Sequence, residues 1–168
     1  MHKFITSLLV LFVSINAFSQ DEYFKLPNAK TQKPCLIFNK NIIGNEYLMK
    51  SFGTSEEEVK EKVKEIAVLK GKGNRKENDH YNLTQYGLVF LDLKESPESR
   101  TQSELKEFFG LEKNGKIYVD GYLLESKKYR IATIGITEIE IVEPDNANGL
   151  KSRALNIWTL PKNERYRK

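Results

Sequence analysis

Histidine and cysteine are the side chains that most often serve as nucleophiles, acid–base groups or metal ligands. The chain of 168 residues has only two His and one Cys. His80 follows Asp79 in a polar stretch, a neighbourhood that could suggest acid–base chemistry or a metal ligand. Adjacent side chains rarely converge on one ligand and no nucleophile is indicated, so we interpret His80 as an exposed loop residue. Such a composition excludes a zinc site built from several Cys and His ligands, and a disulfide framework within the chain.

Cys35 precedes the apolar run at residues 36–38, which predicts a buried core thiol and leaves an intermolecular disulfide as the alternative. The carboxylates do not form a catalytic pair either. The acidic run at residues 56–58 is explained as the start of a helix, and Glu138 and Glu140 as the outward face of a strand. We therefore predict a non-enzymatic protein without cofactor or metal. Two alternatives remain: a small-ligand-binding protein, and a carboxylate-dependent hydrolase that uses neither His nor Cys.

Four basic residues lie close together around two glycines, at Lys70, Lys72, Arg75 and Lys76. The glycine spacing is not that of a phosphate-binding loop, so the segment reads as a solvated turn that an anionic partner could use. Asp120 and Gly121 read as a turn between strands. Because loops on a rigid scaffold carry recognition, we predict partner contacts at both loops. The predicted partner-binding residues are Lys70, Lys72, Arg75, Lys76, Asp120, Gly121 and Tyr122.

The net charge of +4 and a calculated pI near 9.0 are only mildly basic, short of what a dedicated nucleic-acid binder shows. The first residues point to export. Lys3 precedes an uncharged apolar stretch at residues 4–18, and Ala17 and Ser19 supply small residues for cleavage before Gln20. The stretch is shorter than the roughly 20 apolar residues of a spanning helix. We expect a cleaved signal peptide and no transmembrane segment after cleavage.

Local patterns predict strands alternating with two helices. Ser55 with Glu58, and Thr101 with Glu104, form capping boxes that start helices over residues 55–65 and 101–109. Apolar runs or alternation predict the strands. These lie near residues 35–38, 42–44, 66–69, 88–93, 116–119, 122–124, 136–142 and 154–160.

Three anchor segments overlay the two halves of the chain. Residues 36–39 with 42–43 match residues 117–120 with 123–124, residues 64–68 match 137–141, and residues 87–91 match 154–158. Each copy is then predicted to consist of a strand, a connecting segment, a second strand, a loop and a third strand. The segments keep the same order in both copies, so we predict an internal repeat.

The anchors resemble the plug domains of TonB-dependent receptors. That family carries an extended segment ending in Val-Asp-Gly, an Ile-x-x-Ile-x-Val-Leu-Lys-Gly segment and a Gly-Val-Ile-x-Ile strand. The similar pieces in this chain are residues 119–121, 63–71 and 87–91. The first copy departs at Asn39 and Lys40, where the family has Asp-Gly. The end of the signal peptide also resembles those of Bacteroidota.

The resemblance implies an α+β fold of two small strand-rich plug-like repeats with short helices, in one compact domain or as a tandem pair. We divide the chain into a signal peptide (1–19), a flexible lead-in (20–33), a first repeat (34–95), a helix plus second repeat (96–161) and a basic tail (162–168). The implied function is that of an exported interaction module, periplasmic or associated with the outer membrane of a Gram-negative cell. Its partner would be an envelope protein, an outer-membrane receptor or a small ligand, without transport by the module itself.

Overall fold

The computed structural model describes residues 24–27, 33–53, 55–70 and 79–165. Strands and short helices are mixed along the chain, which confirms the predicted α+β class. The described strands, in chain order, are β1 (Cys35–Phe38), β2 (Ile42–Gly44), β3 (Val63–Leu69), β4 (Leu88–Leu93), β5 (Ser99–Thr101), β6 (Ile117–Val119), β7 (Tyr122–Leu123), β8 (Arg130–Ala132), β9 (Glu138–Val142) and β10 (Ala154–Trp158).

The described α-helices are α1 (Glu46–Lys50), α2 (Glu56–Lys62), α3 (Gln102–Phe108) and α4 (Lys162–Arg165). Two 3-10 helices lie at Tyr81–Tyr86 and Thr133–Gly135. Both predicted capping boxes are present: the Ser55 and Thr101 side chains accept from the third helical N–H, and Glu58 and Glu104 reach back. These reciprocal bonds satisfy N–H groups that the first turn leaves without partners.

The strands form two sheets. The larger has six strands in the order β3-β4-β1-β2-β8-β5, and the smaller has four in the order β7-β6-β10-β9. β5 and β8 come from the second half of the chain, yet they lie in the six-stranded sheet beside β2. The four-stranded sheet is extended by residues 24–27 of the predicted lead-in, where Lys25 bridges to Tyr122.

The internal repeat is visible in the topology. The six-stranded sheet contains the run β3-β4-β1-β2, and the other sheet is β9-β10-β6-β7. Corresponding pairs run in the same relative directions: the hairpins β1–β2 and β6–β7 are antiparallel. The central pairs β1–β4 and β6–β10 are parallel, and the edge strands β3 and β9 run antiparallel to their neighbours.

One anchor of the predicted overlay is displaced by one residue. The overlay equates Leu88 with Leu155, but Val89 lies opposite Leu36 in the parallel pair. Leu155 lies opposite Ile117, the residue that the overlay equates with Leu36. Val89 is therefore the structural counterpart of Leu155. Side chains alternate along a strand, so a shift of one residue exchanges the two faces, and apolar composition alone did not resolve it.

A single core joins the two sheets. It contains Ile37, Ile43 and Leu88 from the six-stranded sheet together with Leu155 and Ile157 from the four-stranded sheet. A second cluster lies on the opposite face of the six-stranded sheet, where it is covered by α1 and its following turn. This second cluster is formed by Leu36, Phe38, Ile42, Leu48, Phe52, Leu91, Leu93 and Ala132. The two repeats thus share one interior instead of standing as separate units.

Several elements differ from those predicted. The polar stretch predicted as a loop up to residue 85 contains a buried 3-10 helix, because Tyr81 and Leu83 face inward. The helix predicted over 55–65 ends at Lys62, and β3 begins at once, earlier than predicted. In the predicted basic tail, α4 places Arg165 in the interior, with its guanidinium 4.4 Å from the centre of the Trp158 ring.

Candidate functional site

The edge strand β3 exposes apolar side chains to solvent. It has seven residues, and each side chain is exposed or only half-buried. One edge of β3 pairs with β4 from Val63 to Leu69, while no strand in the described part of the chain pairs with the other edge. We call Val63–Leu69 together with the following Lys70 the β3 edge.

The local sequence explains why this strand forms and where it becomes regular. Helix α2 ends with Lys62, whose carbonyl accepts from the Lys94 N–H at 2.9 Å and holds the strand start against β4. A bulge between Val63 and Glu65 then shifts the register. From Ile66 to Leu69 the pairing with β4 is regular. Bulges commonly interrupt edge strands, so the regular half is the part that could accept another strand.

Two apolar side chains of β3 face solvent on the same side of the sheet. Ile66 is 55% exposed and Val68 is 59% exposed. Ile66 lies opposite Leu91 and Val68 lies opposite Val89 in the β3–β4 pair. Both side chains are therefore on the face of the sheet that carries the second cluster, which α1 covers over the neighbouring strands. In the other repeat, Ile139 is the counterpart of Ile66 and packs against the shared core. The first repeat therefore leaves exposed a position that the second repeat partly buries.

The sequence around the β3 edge is rich in basic residues. Between residues 60 and 76 the sequence has seven Lys or Arg and two Glu. Lys60 pairs with Glu56, and the Lys62 ammonium donates to the Ser51 carbonyl at 3.2 Å. Lys64 and Lys70 make no ion pair with a described residue. Both therefore offer uncompensated positive charge at the two ends of the strand.

A groove of about 370 Å³ lies next to the start of β3. Leu48, Phe52 and Leu93 form its apolar lining, while Glu61, Lys62, Lys94 and Glu95 are among its polar residues. The three apolar residues belong to the cluster on the Ile66 face of the sheet. The groove could hold an apolar side chain from a molecule bound at the β3 edge.

The predicted partner-binding residues fall into three groups. Lys70 is exposed directly after β3. Lys72, Arg75 and Lys76 lie outside the described residues. Asp120, Gly121 and Tyr122 form the turn and strand start of the β6–β7 hairpin in the other sheet, and all three are buried. The structure therefore does not gather the predicted residues into one exposed surface.

Asp120 has an internal structural role. Its Oδ1 accepts from the Thr159 N–H at 2.8 Å and the Leu160 N–H at 3.2 Å, and its Oδ2 accepts from the Thr159 hydroxyl at 2.6 Å. Burial raises the pKa of Asp120, although the bonds from Thr159 and Leu160 favour the ionised form. With φ values of 49° at Asp120 and 84° at Gly121, the pair makes the predicted tight turn.

His80 is not the exposed residue that the sequence predicts. Its Nδ1 lies 2.9 Å from the Tyr129 hydroxyl, and its ring packs edge-on against Phe90. The prediction was wrong because the buried 3-10 helix begins next to His80 and draws it against the sheet. Burial lowers the pKa of His80, Lys128 adds to this effect and Asp79 opposes it. The Asp79 carboxylate itself pairs with Lys128 at 2.6 Å.

Cys35 packs against the shared core as a half-buried thiol. Burial raises its pKa, with a further contribution from the charge of Asp120. A thiol held in its protonated form is a poor nucleophile and a poor metal ligand. Among the described residues, no group of three or more His, Cys, Asp or Glu side chains could hold a metal ion.

A second groove, of about 300 Å³, lies on the outer face of the four-stranded sheet. Glu140, Asp145, Asn156 and Trp158 are among its lining residues. The Glu140 carboxylate accepts from Trp158 Nε1 at 3.0 Å and from Asn156 Nδ2 at 3.2 Å. One Asp145 oxygen accepts from the Ala147 and Asn148 N–H groups. The groove is polar, and much of its polarity is already satisfied within the chain.

Within the part of the chain that the structure describes, no helix combines the length and apolar character needed to cross a membrane. In comparisons with protein-family models, with curated proteins and with solved structures, the chain gives no match.

Proposed function

We propose that this protein is a non-enzymatic binding module that engages another protein at the β3 edge. The observation that carries the proposal is a seven-residue edge strand whose outer edge pairs with no described strand and whose Ile66 and Val68 side chains are more than half exposed. Soluble proteins usually protect such edges because exposed N–H and C=O groups recruit further strands. An edge that keeps its apolar side chains uncovered is suited to a protein partner.

The chemistry of the side chains that could serve in catalysis supports a binding function instead. Asp120 is sequestered by Thr159 and Leu160, and the Cys35 thiol is held protonated by burial. His80 is held by Tyr129 on one side of its ring. None of the three combines exposure with a neighbouring group that would activate it for a reaction.

The compartment and the wider role follow from the sequence. An apolar leader with small residues at positions 17 and 19 supports export. We place the mature protein in the periplasm or against the outer membrane of a Gram-negative cell. The resemblance of residues 63–71 and 119–121 to receptor plug domains supports an envelope protein or outer-membrane receptor as the partner. The module would bind such a partner without transporting anything itself.

Affinity capture from an extract of the cell envelope tests the proposal. We expect the tagged protein to retain one envelope protein, and the double variant Ile66→Ser, Val68→Ser to lose it. Phe108→Ser is the matched control, because Phe108 is 81% exposed on α3 and lies outside the β3 edge. If both variants retain the same protein, the β3 edge is not the binding surface.

The groove on the outer face of the four-stranded sheet favours a second candidate function, the binding of a small polar ligand. Glu140 and Asp145 both contribute carboxylates to this groove beside Trp158. A ligand that binds only the folded state raises the melting temperature, so a thermal-shift screen against small polar metabolites and glycans tests this candidate. We expect a hit of this kind to be lost in Glu140→Gln. A hydrolase using the same two carboxylates would instead show turnover that Glu140→Gln abolishes while the fold stays intact.

A further inference from the structure

The β3 edge has three properties that together specify an occupant: a backbone edge that no described strand pairs with, apolar side chains two residues apart, and basic ends without an ion pair to a described residue. We propose that, if the module binds proteins at this edge as inferred above, its occupant is an extended acidic segment of a partner protein. The segment adds to the six-stranded sheet as a strand next to β3.

The backbone supplies the first part of the recognition. β3 is the longest of the described strands, and its outer N–H and C=O groups pair with no described strand. Strand addition satisfies such groups directly, and main-chain hydrogen bonds then contribute affinity without demanding a particular sequence. The bulge at Val63 and Glu65 directs the added strand to the regular portion from Ile66 to Leu69.

The side chains of β3 supply the second part of the recognition. Ile66 and Val68 point to the same face of the sheet, since residues two apart share a face. An added strand places its own alternate side chains beside them on that face. The 370 Å³ groove lined by Leu48, Phe52 and Leu93 adjoins this face at the strand start. The partner segment should therefore carry apolar residues at alternate positions.

Charge specifies which residues the added strand carries next to Lys64 and Lys70. Lys64 and Lys70 flank the apolar pair and are not neutralised by a described carboxylate. Acidic side chains on the added strand would face these ammonium groups, whereas basic ones would be repelled. Lys70 lies two residues after Val68 and therefore shares its face. A segment with two apolar residues two apart, followed two positions later by an acidic residue, meets both requirements.

A second copy of the chain is a poorer occupant. In an antiparallel pair of β3 strands, opposed residues point to the same face, and setting Ile66 opposite Val68 places Lys64 of each copy opposite Lys70 of the other. Like charges in direct opposition destabilise a sheet. The acidic edge strand β9 of a second copy is also unsuited to add to β3, because its Glu138 is already paired with Arg165 at 2.5 Å. Glu140 likewise accepts from Trp158 and Asn156 within the chain.

A labelled peptide copying residues 137–143 provides the probe, because Ile139, Ile141 and Glu143 follow one another two residues apart and the free peptide lacks the internal partners of β9. We expect the full protein to bind this peptide in fluorescence anisotropy, and to bind a version with Lys in place of each Glu at least about tenfold more weakly. Raising sodium chloride from about 50 mM to about 500 mM should weaken binding of the acidic peptide.

Variants and hydrogen exchange separate the contribution of the lysine charges from that of strand addition. Lys64→Glu with Lys70→Glu should reduce affinity for the acidic peptide at least about tenfold and improve binding of the Lys peptide. Lys151→Glu, at an exposed position in the β9–β10 loop, is the matched control and should leave both affinities unchanged. Strand addition predicts slower amide hydrogen exchange across Val63–Leu69 when the peptide is bound. Binding without this protection would overturn the added strand.

Three results distinguish this inference from the proposed function. If envelope capture depends on Ile66 and Val68 but both peptides bind equally, the binding module stands and the acidic occupant is wrong. If neither capture nor peptide binding depends on the β3 edge, both proposals fail. If sedimentation shows a dimer of the full protein that Ile66→Ser with Val68→Ser dissociates, the occupant is a second copy and the acidic segment is rejected.

Discussion

At the scale of single residues, Asp120 connects a tight turn to the end of the neighbouring strand. Its side chain is buried and accepts from two backbone N–H groups and one hydroxyl, all from Thr159 and Leu160. These donors lie after β10, which pairs in parallel with β6, the strand that ends just before Asp120. Asp120 therefore fixes the position of residues 159–160 and is a structural residue of the repeat.

Replacing Asp120 with Ala should destabilise the protein by at least about 3 kcal/mol, because three buried donors lose their acceptor. Asp120→Asn should cost less, since the amide oxygen can still accept from the backbone. Urea unfolding monitored by Trp158 fluorescence measures both values. Asp145→Ala is the control: its carboxylate also caps backbone N–H groups but is exposed. Equal losses at the two positions would refute the special role of Asp120.

His80 should make stability depend on pH. Its pKa is lowered in the folded protein from an ordinary value of 6.5, chiefly by burial. Below pH 6.5 the unfolded chain takes up a proton that the folded chain resists, so the free energy of unfolding should fall as the pH drops through the folded pKa. Above pH 6.5 the contribution is constant. Unfolding His80→Gln across the same pH range should show a shallower decline, and parallel declines would contradict the assignment.

At the scale of elements, capping explains why two short helices form in an otherwise strand-rich chain. In α3 the Thr101 hydroxyl accepts from the Glu104 N–H at 3.1 Å, and Glu104 accepts from the Thr101 N–H at 2.6 Å. The bonds that the Glu104 carboxylate accepts from the Thr101 N–H and hydroxyl lower the pKa of Glu104. Gly110, with φ at 64°, follows the helix end in the left-handed conformation that glycine tolerates.

Thr101→Ala should reduce stability by about 1 kcal/mol, because the first turn of α3 loses its side-chain cap. Ser103→Ala should change stability by less than about 0.5 kcal/mol, since Ser103 is exposed inside the helix and makes no cap. Chemical denaturation of the two variants compares them directly. A similar loss in both would show that the capping box contributes nothing measurable.

At the scale of the whole molecule, the shared core makes the two repeats one cooperative unit. Leu155 and Ile157 of the second repeat contact the same cluster as Ile37 and Ile43 of the first. Buried Asn45 adds a polar connection, since its amide nitrogen donates to the carbonyls of Gly135 and Thr159 at 3.0 and 2.8 Å. Opening one sheet therefore exposes the apolar surface of the other.

Leu155→Ala should cost about 2–5 kcal/mol, as expected for truncation of a fully buried leucine. It should also accelerate hydrogen exchange in β1 and β2, although these strands belong to the other sheet. Ile134→Ala, at a position 58% exposed, is the control and should stay within about 0.5 kcal/mol. Exchange that rises only in the four-stranded sheet would indicate two independent units.

Local signals in the sequence predicted much of the secondary structure. The capping boxes, the Asp120–Gly121 turn and the central strands of both repeats depend on neighbouring residues, so they could be read without tertiary context. β5 and β8 were missed because each has three residues and is stabilised by pairing with the other and with β2. Residues 81–84 looked polar, and only contact with both sheets explains why they are buried.

The candidate site was predicted only in part. Lys70 lies at the β3 edge as an exposed residue. Asp120 and Tyr122 turn inward because the residues after β10 and the 3-10 helix supply their hydrogen-bond partners. The sequence predicts Ile66 and Val68 only as part of a strand near residues 66–69. Their exposure depends on β3 lying at the end of the six-stranded sheet, beyond the reach of α1, and no local pattern carries that information.

The sequence by itself determined the α+β class, the repeat and its order of strands, because these follow from alternation, capping and turn residues over short distances. The tertiary structure decided which face of each repeat is buried, how the two copies share one core, and which strand remains at an edge. These features depend on contacts between residues far apart in the chain. For the same reason, only the folded molecule shows that the apolar residues of β3 are available to a partner.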